Sequence, residues 1–355
     1  MASITRQRIA SIDALKCFAI FLVIFGHSIQ YLIGGAYYDK IAYRWIYSFH
    51  MPLFMALCGF FAKGSVHLSV RDFTFRKFKQ LLLPAVIFVI ISALFKNWGG
   101  VFNLCRQLFH SFWFLKSAFI CYVFYYIATR INTISKKTPL GYILTIIVTQ
   151  VIGVFQINIM YPCFLFGVAM QHFHPTIHKY AVKITIYSFS AFLVMLLFFD
   201  SSFWSFRSVV NYYVIPTNIL STPQYWYVTG YKLIIGMIGT LAFFNLFECI
   251  FSKSNENSKF SKMTVSIGKQ TLGIYILQSY ILENWLASSV NFDMIPTTMF
   301  YLLVVPFISM SVLLACSLII RLTQYLPVAP LLLFNQPQIK AKQHNKEICL
   351  NKNPE

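Results

Sequence analysis

The sequence predicts an all-α membrane protein, a bundle of about ten transmembrane helices with both termini in the cytoplasm. Of the 355 residues, 58% are hydrophobic and 11% are charged, which is too apolar for the surface of a soluble domain. Apolar runs of about 17 to 25 residues, long enough to cross a bilayer, recur along most of the chain. We therefore expect one integral membrane domain over residues 1–334, followed by a polar, disordered cytoplasmic tail over 335–355.

The apolar runs and their flanks define the individual spans. The fifth and sixth runs are short and could instead form a re-entrant hairpin. Residues 201–230 are rich in Trp and Tyr and are expected on the outer side, either as interface anchors or as a platform for sugar rings. Two prolines interrupt residues 323–334, which are expected to lie at the interface. The ten predicted spans are 12–33, 42–62, 80–98, 110–129, 139–155, 158–171, 181–200, 231–251, 264–284 and 296–320.

The distribution of basic residues sets the orientation of the bundle. Short cytoplasmic loops of membrane proteins hold most of the Lys and Arg residues. With the N-terminus placed in the cytoplasm, all but seven of the 29 Lys and Arg residues fall on the cytoplasmic side. The pattern therefore predicts that both termini are cytoplasmic.

Charge and cysteine patterns exclude two classes of site. The net charge of +19 would suit a nucleic-acid partner, but the basic residues lie in alternate loops rather than in one patch. The eight cysteines are scattered, mostly within apolar runs, without the paired spacing of a disulfide framework or a zinc site. We expect no nucleic-acid partner and no bound metal.

The first span carries a histidine where only hydrocarbon would be expected. His27 follows Lys16 by eleven residues, which places the two side chains on one helix face about 16 Å apart along the axis. Ionisable groups facing lipid are costly, so this face is expected to meet protein or water. Asp13, one turn before Lys16, is a natural salt-bridge partner. A catalytic histidine above a functional lysine, and a core histidine above a lysine that reaches the interface, are both consistent with the pattern.

A second histidine lies in the stretch SFHMPLFMALCGFF, residues 48–61. The second helix descends from the outer side while the first ascends towards it, so His50 should reach a depth similar to that of His27. Pro52 can kink this helix, which a membrane tolerates beside a cavity. We expect the two imidazoles to meet, which favours a functional role for both.

Basic residues cluster in the loop that follows the second span. Clustered cations at a membrane surface bind phosphates, either of anionic lipids or of a nucleotide-like cofactor. A glycine-rich phosphate loop is missing from the sequence, so ATP hydrolysis by that motif is unsupported. The cluster consists of Arg71, Arg76, Lys77 and Lys79.

Further polar and aromatic residues lie in the fourth and ninth spans. Trp113 and Phe114 are expected to belong to the interfacial aromatic belt, next to Lys116, the one cation within the fourth span. Tyr275, in the stretch IGKQTLGIYILQSYILE, lies on the ninth span. We expect Trp113, Lys116, Tyr275 and Asp13 to have supporting roles around the two histidines.

Six stretches occur together in an order known from one family: RIASIDALKCFAIFLVIFGHS, SFHMPLFMALCGFF, FRKFKQLLLP, FWFLKSAF, YPCFLFGVAM and IGKQTLGIYILQS. Over nearly its whole length the chain thereby resembles the acyltransferase-3 family of membrane O-acyltransferases, which modify bacterial surface glycans. The resemblance implies that Lys16 and His27, which match the family's basic residue and histidine, are essential. The family's pair of arginines falls on Lys77 and Gln80, and Gln278 stands where many relatives have histidine.

The resemblance implies transfer of an acyl group, most often acetyl, from cytoplasmic acyl-CoA to a glycan hydroxyl. The acceptor would be a surface polysaccharide or its lipid-linked precursor, and the enzyme would lie in the bacterial inner membrane among its lipids. Acyl-CoA is then a co-substrate, with the cationic cluster as its phosphate site, and no cofactor is bound. His27 would activate the acceptor or first take the acyl group itself. The alternatives are a proton-coupled transporter or flippase of lipid-linked sugars, and a glycan polymerase.

Overall fold

The protein is mainly helical in the residues that the computed structural model describes, which are 10–32, 40–95, 100–136, 139–199, 203, 215–252, 258–289 and 297–325. Helices satisfy their own backbone hydrogen bonds, which is the requirement for crossing hydrocarbon. Among the described residues, six helices are long and apolar enough to cross a membrane. The prediction of a polytopic helical bundle is confirmed.

The first half of the bundle matches predicted spans one to six. Its helices are α1 Ala10–Leu32, α2 Ile41–Phe60, α3 Val70–Lys77, α4 Leu83–Phe95, α5 Gly100–His110, α6 Trp113–Ser135, α7 Leu140–Gln150 and α8 Ile157–His172. Spans five and six correspond to α7 and α8, which contact each other and both contact α6.

The second half matches the remaining four predicted spans, two of them built from several helical segments. Its helices are α9 His174–Lys179, α10 Ala181–Leu197, α11 Thr217–Leu220, α12 Pro223–Ser252, α13 Lys259–Gly268, α14 Thr271–Ser279, α15 Ala287–Ser289, α16 Thr297–Met299 and α17 Val305–Thr323.

The third span begins earlier than the sequence pattern predicts. A π-helical turn over Phe78–Leu82 joins α3 to α4 without a break, so the helix starts at Val70 instead of residue 80. Ser69 caps the start, because its hydroxyl oxygen accepts the backbone N–H of Asp72 at 3.1 Å. The expectation of a basic loop is therefore wrong, and the cationic cluster lies on helical turns.

The eighth span also begins earlier, at Pro223 instead of residue 231. The end of the aromatic segment 201–230 is therefore helix. Most of the rest of that segment lies outside the described residues, as do residues 1–9 and 326–355. The predicted disordered tail, the part of the predicted interfacial segment after residue 325 and the basic residues near the two termini therefore lie outside the described residues.

Glycines allow the two histidine-bearing helices to approach their neighbours closely. A Cβ at Gly167 on α8 would lie 1.8 Å from the carbonyl oxygen of Ala56 on α2, and one at Gly59 would lie 1.9 Å from that of Phe164. A Cβ at Gly268 on α13 would likewise lie 1.8 Å from the carbonyl oxygen of Asp13. Small residues at crossings are the usual means of packing membrane helices tightly. These contacts fix α1 and α2 in place.

A buried carboxylate anchors the start of α1. The hydroxyl of Ser11 donates to one oxygen of Glu248 on α12 at 2.5 Å, and the other oxygen pairs with His178 Nδ1 at 3.0 Å. Glu248 is buried, and His174 Nε2 lies 3.8 Å from the same oxygen as His178, so three side chains compensate the desolvated carboxylate. This network joins α1, α9 and α12 at the end of the bundle opposite His27.

Candidate active site

A cavity of about 820 Å³ contains both histidines singled out in the sequence. Helices α1, α2, α5, α6, α12 and α14 contribute to its wall. His27 and His50 are close enough to influence each other electrostatically, as expected from their matched depths. The polar and aromatic side chains that line the cavity include His27, His50, Trp113, Lys232, Tyr275 and Gln278.

A hydrogen bond fixes the ring of His27. Its Nδ1 lies 3.0 Å from Oε1 of Gln278, whose Nε2 donates to the carbonyl oxygen of Tyr275 at 3.2 Å. The amide oxygen facing His27 can only accept, so Nδ1 carries the hydrogen of the neutral ring. The other nitrogen, Nε2, therefore presents a lone pair. Tyr31 packs edge-on against the ring at 5.7 Å.

His50 has the same tautomer for a different reason. Its Nδ1 donates to the carbonyl oxygen of Ile46, one turn earlier, at 2.8 Å. Tyr47 packs against the ring with centroids 4.5 Å apart, and His50 is buried. Both imidazoles consequently present Nε2 as the proton-accepting atom in one shared cavity.

Replacing Gln278 with leucine is expected to lower acyl transfer by roughly 10- to 100-fold, because His27 loses the acceptor that orients its ring. Gln278→Glu, which keeps an acceptor oxygen, should recover much of the rate. The measurement is transfer of [14C]acetyl by equal amounts of folded protein. Gln270→Leu is the matched control, since Gln270 is buried in the same stretch but accepts from Ser317 at 2.8 Å. Equal rates for the Gln278→Leu variant and the parent chain would contradict the positioning role.

The aromatic residues of the fourth and ninth spans lie in or beside the cavity. Trp113 and Tyr275 both line it. Phe114 is buried and packs against Tyr275, with ring centroids 6.0 Å apart. The expectation of an interfacial aromatic belt is therefore wrong for Phe114, which belongs to the core, and Trp113 lines the cavity.

Lys116 holds the turn that positions Trp113. Its ammonium donates to the carbonyl oxygens of Phe109, at 2.7 Å, and Ser111. These carbonyls end α5 just before Phe112, whose φ of 53° reverses the chain into α6. A cation on the free carbonyls at a helix end is favourable. Lys116 therefore supports the cavity wall rather than its chemistry.

Lys16 lies away from the cavity that contains His27. Its ammonium pairs with Asp13 at 3.1 Å, the salt bridge that the spacing predicts, and lies 4.7 Å from the ring centre of Phe61. Asp13 is buried and Lys16 is partly exposed. Lys16 and the histidine eleven residues later thus occupy two different compartments of the described structure.

The cationic cluster divides into two parts. Arg71, Arg76 and Lys79 are exposed, whereas Lys77 is buried with its ammonium 3.4 Å from the ring centre of Tyr122. Lys77 and Lys16 both lie within electrostatic reach of the Cys58 side chain. A cation on an aromatic face is favourable, especially when desolvated. Lys77 and Lys16 therefore both lie near the end of α2 that contains Cys58, the end predicted to face the cytoplasm. This end is called the inner end of α2.

Two cavity residues are not singled out as functional by the sequence. Gln278 looks inert there because an amide does not transfer protons, yet it sets the tautomer of His27. Lys232 is one of the seven cations left outside the cytoplasmic loops, and it lines the cavity. The sequence does contain a signal for Lys232, because a single cation within an apolar membrane helix indicates a functional site.

Comparison with known proteins gives one family and two relatives. The sequence profile of the acyltransferase-3 family, described as an acyltransferase domain, matches residues 9–321. Nodulation protein NolL of Mesorhizobium japonicum is 23% identical over 297 residues, covering 78% of this chain and 77% of that protein. Nodulation protein NolL of Sinorhizobium fredii is 29% identical over 143 residues, covering 37% of this chain and 39% of its own.

A search of solved structures finds no match. The matched residues include α1 and α2, which carry the two histidines, and α14, which carries Gln278. The match therefore includes the whole described cavity. This chain belongs to the acyltransferase-3 family and is a membrane acyltransferase.

Proposed function

We propose that the protein transfers an acetyl group from cytoplasmic acetyl-CoA to a hydroxyl of a bacterial cell-surface polysaccharide or its lipid-linked precursor, and that it does so in the inner membrane. The observation that supports this proposal most strongly is the hydrogen bond between His27 Nδ1 and Gln278 in the cavity. Because Nδ1 carries the hydrogen, Nε2 presents a lone pair. A neutral imidazole is a suitable proton acceptor near pH 7.

In the proposed reaction, the hydroxyl oxygen of the acceptor forms a bond to the thioester carbonyl carbon. His27 Nε2 takes the hydroxyl proton as that bond forms. The carbon–sulfur bond then breaks, and the departing CoA thiolate takes this proton from His27 Nε2, which returns the imidazole to its neutral form. His50, which has the same tautomer and lines the same cavity, would serve as a second proton acceptor.

The donor would enter from the inner end of α2, where cations can neutralise the phosphates of CoA. Lys16 and the buried Lys77 lie together there, and Arg71, Arg76 and Lys79 add exposed charge. Hydrogen bonds from ammonium and guanidinium groups to phosphate are charge-assisted and stronger than neutral ones.

The described lining of the cavity includes Met51 but neither Lys16 nor Lys77. Met51 and Met55 lie on the same face of α2 as Cys58, so this face leads from the cavity towards the end of the helix where Lys77 lies. Methionine side chains are unbranched and adaptable. We propose that the pantetheine arm displaces them to bring the thioester to His27.

Lys77→Gln is expected to raise the KM for acetyl-CoA by roughly tenfold, because a desolvated phosphate contact is lost, while kcat changes less. Arg76→Gln, at an exposed position on the same helix, should cause a smaller rise that fades at high salt. Lys259→Gln replaces an exposed cation on α13 and serves as the control. An unchanged KM in the Lys77→Gln variant would mean that the buried cation does not bind the donor.

The proposed function is tested by deleting the gene in its host and measuring O-acetyl groups on the surface polysaccharide by NMR. Loss of the O-acetyl signal, restored by the intact gene but not by His27→Gln, is the expected result. An unchanged polysaccharide would contradict the proposed acceptor.

A further inference from the structure

The short helix α5 turns a polar face towards the cavity. Asn103, Arg106, Gln107 and His110 recur at helical spacing, and all four line the cavity. Val101, on the opposite face, is 77% exposed. In the predicted topology α5 connects the outer ends of α4 and α6. The outer part of the cavity is therefore bordered by a helix rich in hydrogen-bond donors.

Lys232 on α12 adds a second cation to the lining of the cavity. It lies about 14 Å along α12 from the start of that helix, near the outer end of the predicted span 231–251. One turn later, a Cβ at Gly236 would lie 2.7 Å from the ring of Pro52, so this part of α12 packs against α2 beside His50. A lysine within an apolar membrane helix is costly unless it faces a polar cavity, and Lys232 lines this one. Such a position is typical of a substrate site.

The balance of charge around the cavity favours an anion. Among the described residues that line it, Arg106 and Lys232 are cations and Glu283 is the carboxylate. The histidines His27, His50 and His110 also line it, and protonation of any of them would add positive charge. A neutral sugar would need hydrogen-bonding groups and aromatic faces, but it would not need two cations.

We propose that the acceptor glycan carries an anionic oxygen group, which Lys232 binds with the help of Arg106. The group is either a carboxylate on a sugar ring or the diphosphate that joins a sugar to its lipid carrier. The proposal rests on the proposed function, since it assigns the acceptor of the same cavity. Lys232 and Arg106 bind the acceptor and take no part in proton transfer.

The test is the affinity of the purified full-length protein in detergent for three probes without acyl-CoA, measured by thermophoresis. The probes are octyl β-glucoside below its micellar concentration, octyl β-glucuronide, and glucose linked to geranyl diphosphate. At least one anionic probe should bind roughly tenfold more tightly than the neutral one. The preferred probe identifies the source of the anion.

Lys232→Gln should reduce the ratio of the affinities for the anionic and the neutral probe to near one, while affinity for the neutral probe stays unchanged. Arg106→Gln should reduce that ratio in part. Lys262→Gln, an exposed cation on α13, should retain the full preference. Equal binding of all three probes, or a preference that survives Lys232→Gln, would overturn the proposal. His27→Gln should keep the anion preference, so a failure of acyl transfer is distinguishable from a failure of anion binding.

Discussion

Replacing His27 with glutamine is expected to lower acyl transfer by about 10²- to 10⁴-fold, the usual contribution of a general base. Glutamine can still donate to Oε1 of Gln278, so the local hydrogen bond is kept while the proton-accepting nitrogen is lost. The measurement is [14C]acetyl incorporation into polysaccharide by washed membranes that contain equal amounts of the protein.

His67→Gln is the matched control, because His67 is exposed and lies away from the cavity-lining residues. Its rate should equal that of the parent chain. Full transfer by the His27→Gln variant at normal membrane levels would reject His27 as the base.

Gly167→Ala is expected to destabilise the folded bundle by several kcal/mol, at the upper end of the cost of overpacking. The added Cβ would lie 1.8 Å from the backbone carbonyl oxygen of Ala56, and backbone cannot move aside as a flexible side chain can. α2 and α8 would have to separate, which also displaces His50. The measurement is the melting temperature and the monodisperse fraction of the purified protein in detergent.

Gly230→Ala provides the comparison, since a Cβ at that position meets nothing within 4 Å. Alanine is also the better helix former, so this variant should be as stable as the parent chain. Equal melting temperatures for the two variants would mean that the close crossing of α2 and α8 does not limit stability.

Much of the fold follows from apolar periodicity and charge. Where the structure describes them, all ten predicted spans coincide with helical segments, because a long apolar run is a strong signal and each helix closes its own hydrogen bonds. The missed boundaries have local causes. A serine cap at Ser69 and a π turn extend the third span into a polar region, where hydropathy gives no signal.

The site was harder to predict than the fold. Equal depth predicts that His27 and His50 meet, and they do share one cavity. Helical spacing alone could not show that Lys16 lies in a different compartment, because α1 lines the cavity with its later residues and the packing of other helices decides where the cavity ends. Lys77 and Lys79 are two residues apart, yet one is buried on Tyr122 and the other is exposed, and only tertiary packing decides this.

The central claim is that His27 accepts a proton from a glycan hydroxyl while acetyl passes from CoA to oxygen. The most direct measurement uses proteoliposomes of the purified protein with [14C]acetyl-CoA and lipid-linked glycan from a host that lacks the gene. Alkali-labile label in the glycan fraction, lost in the His27→Gln variant, is the predicted result. Movement of the lipid-linked glycan across the vesicle membrane with no label incorporated would contradict the account and indicate a flippase.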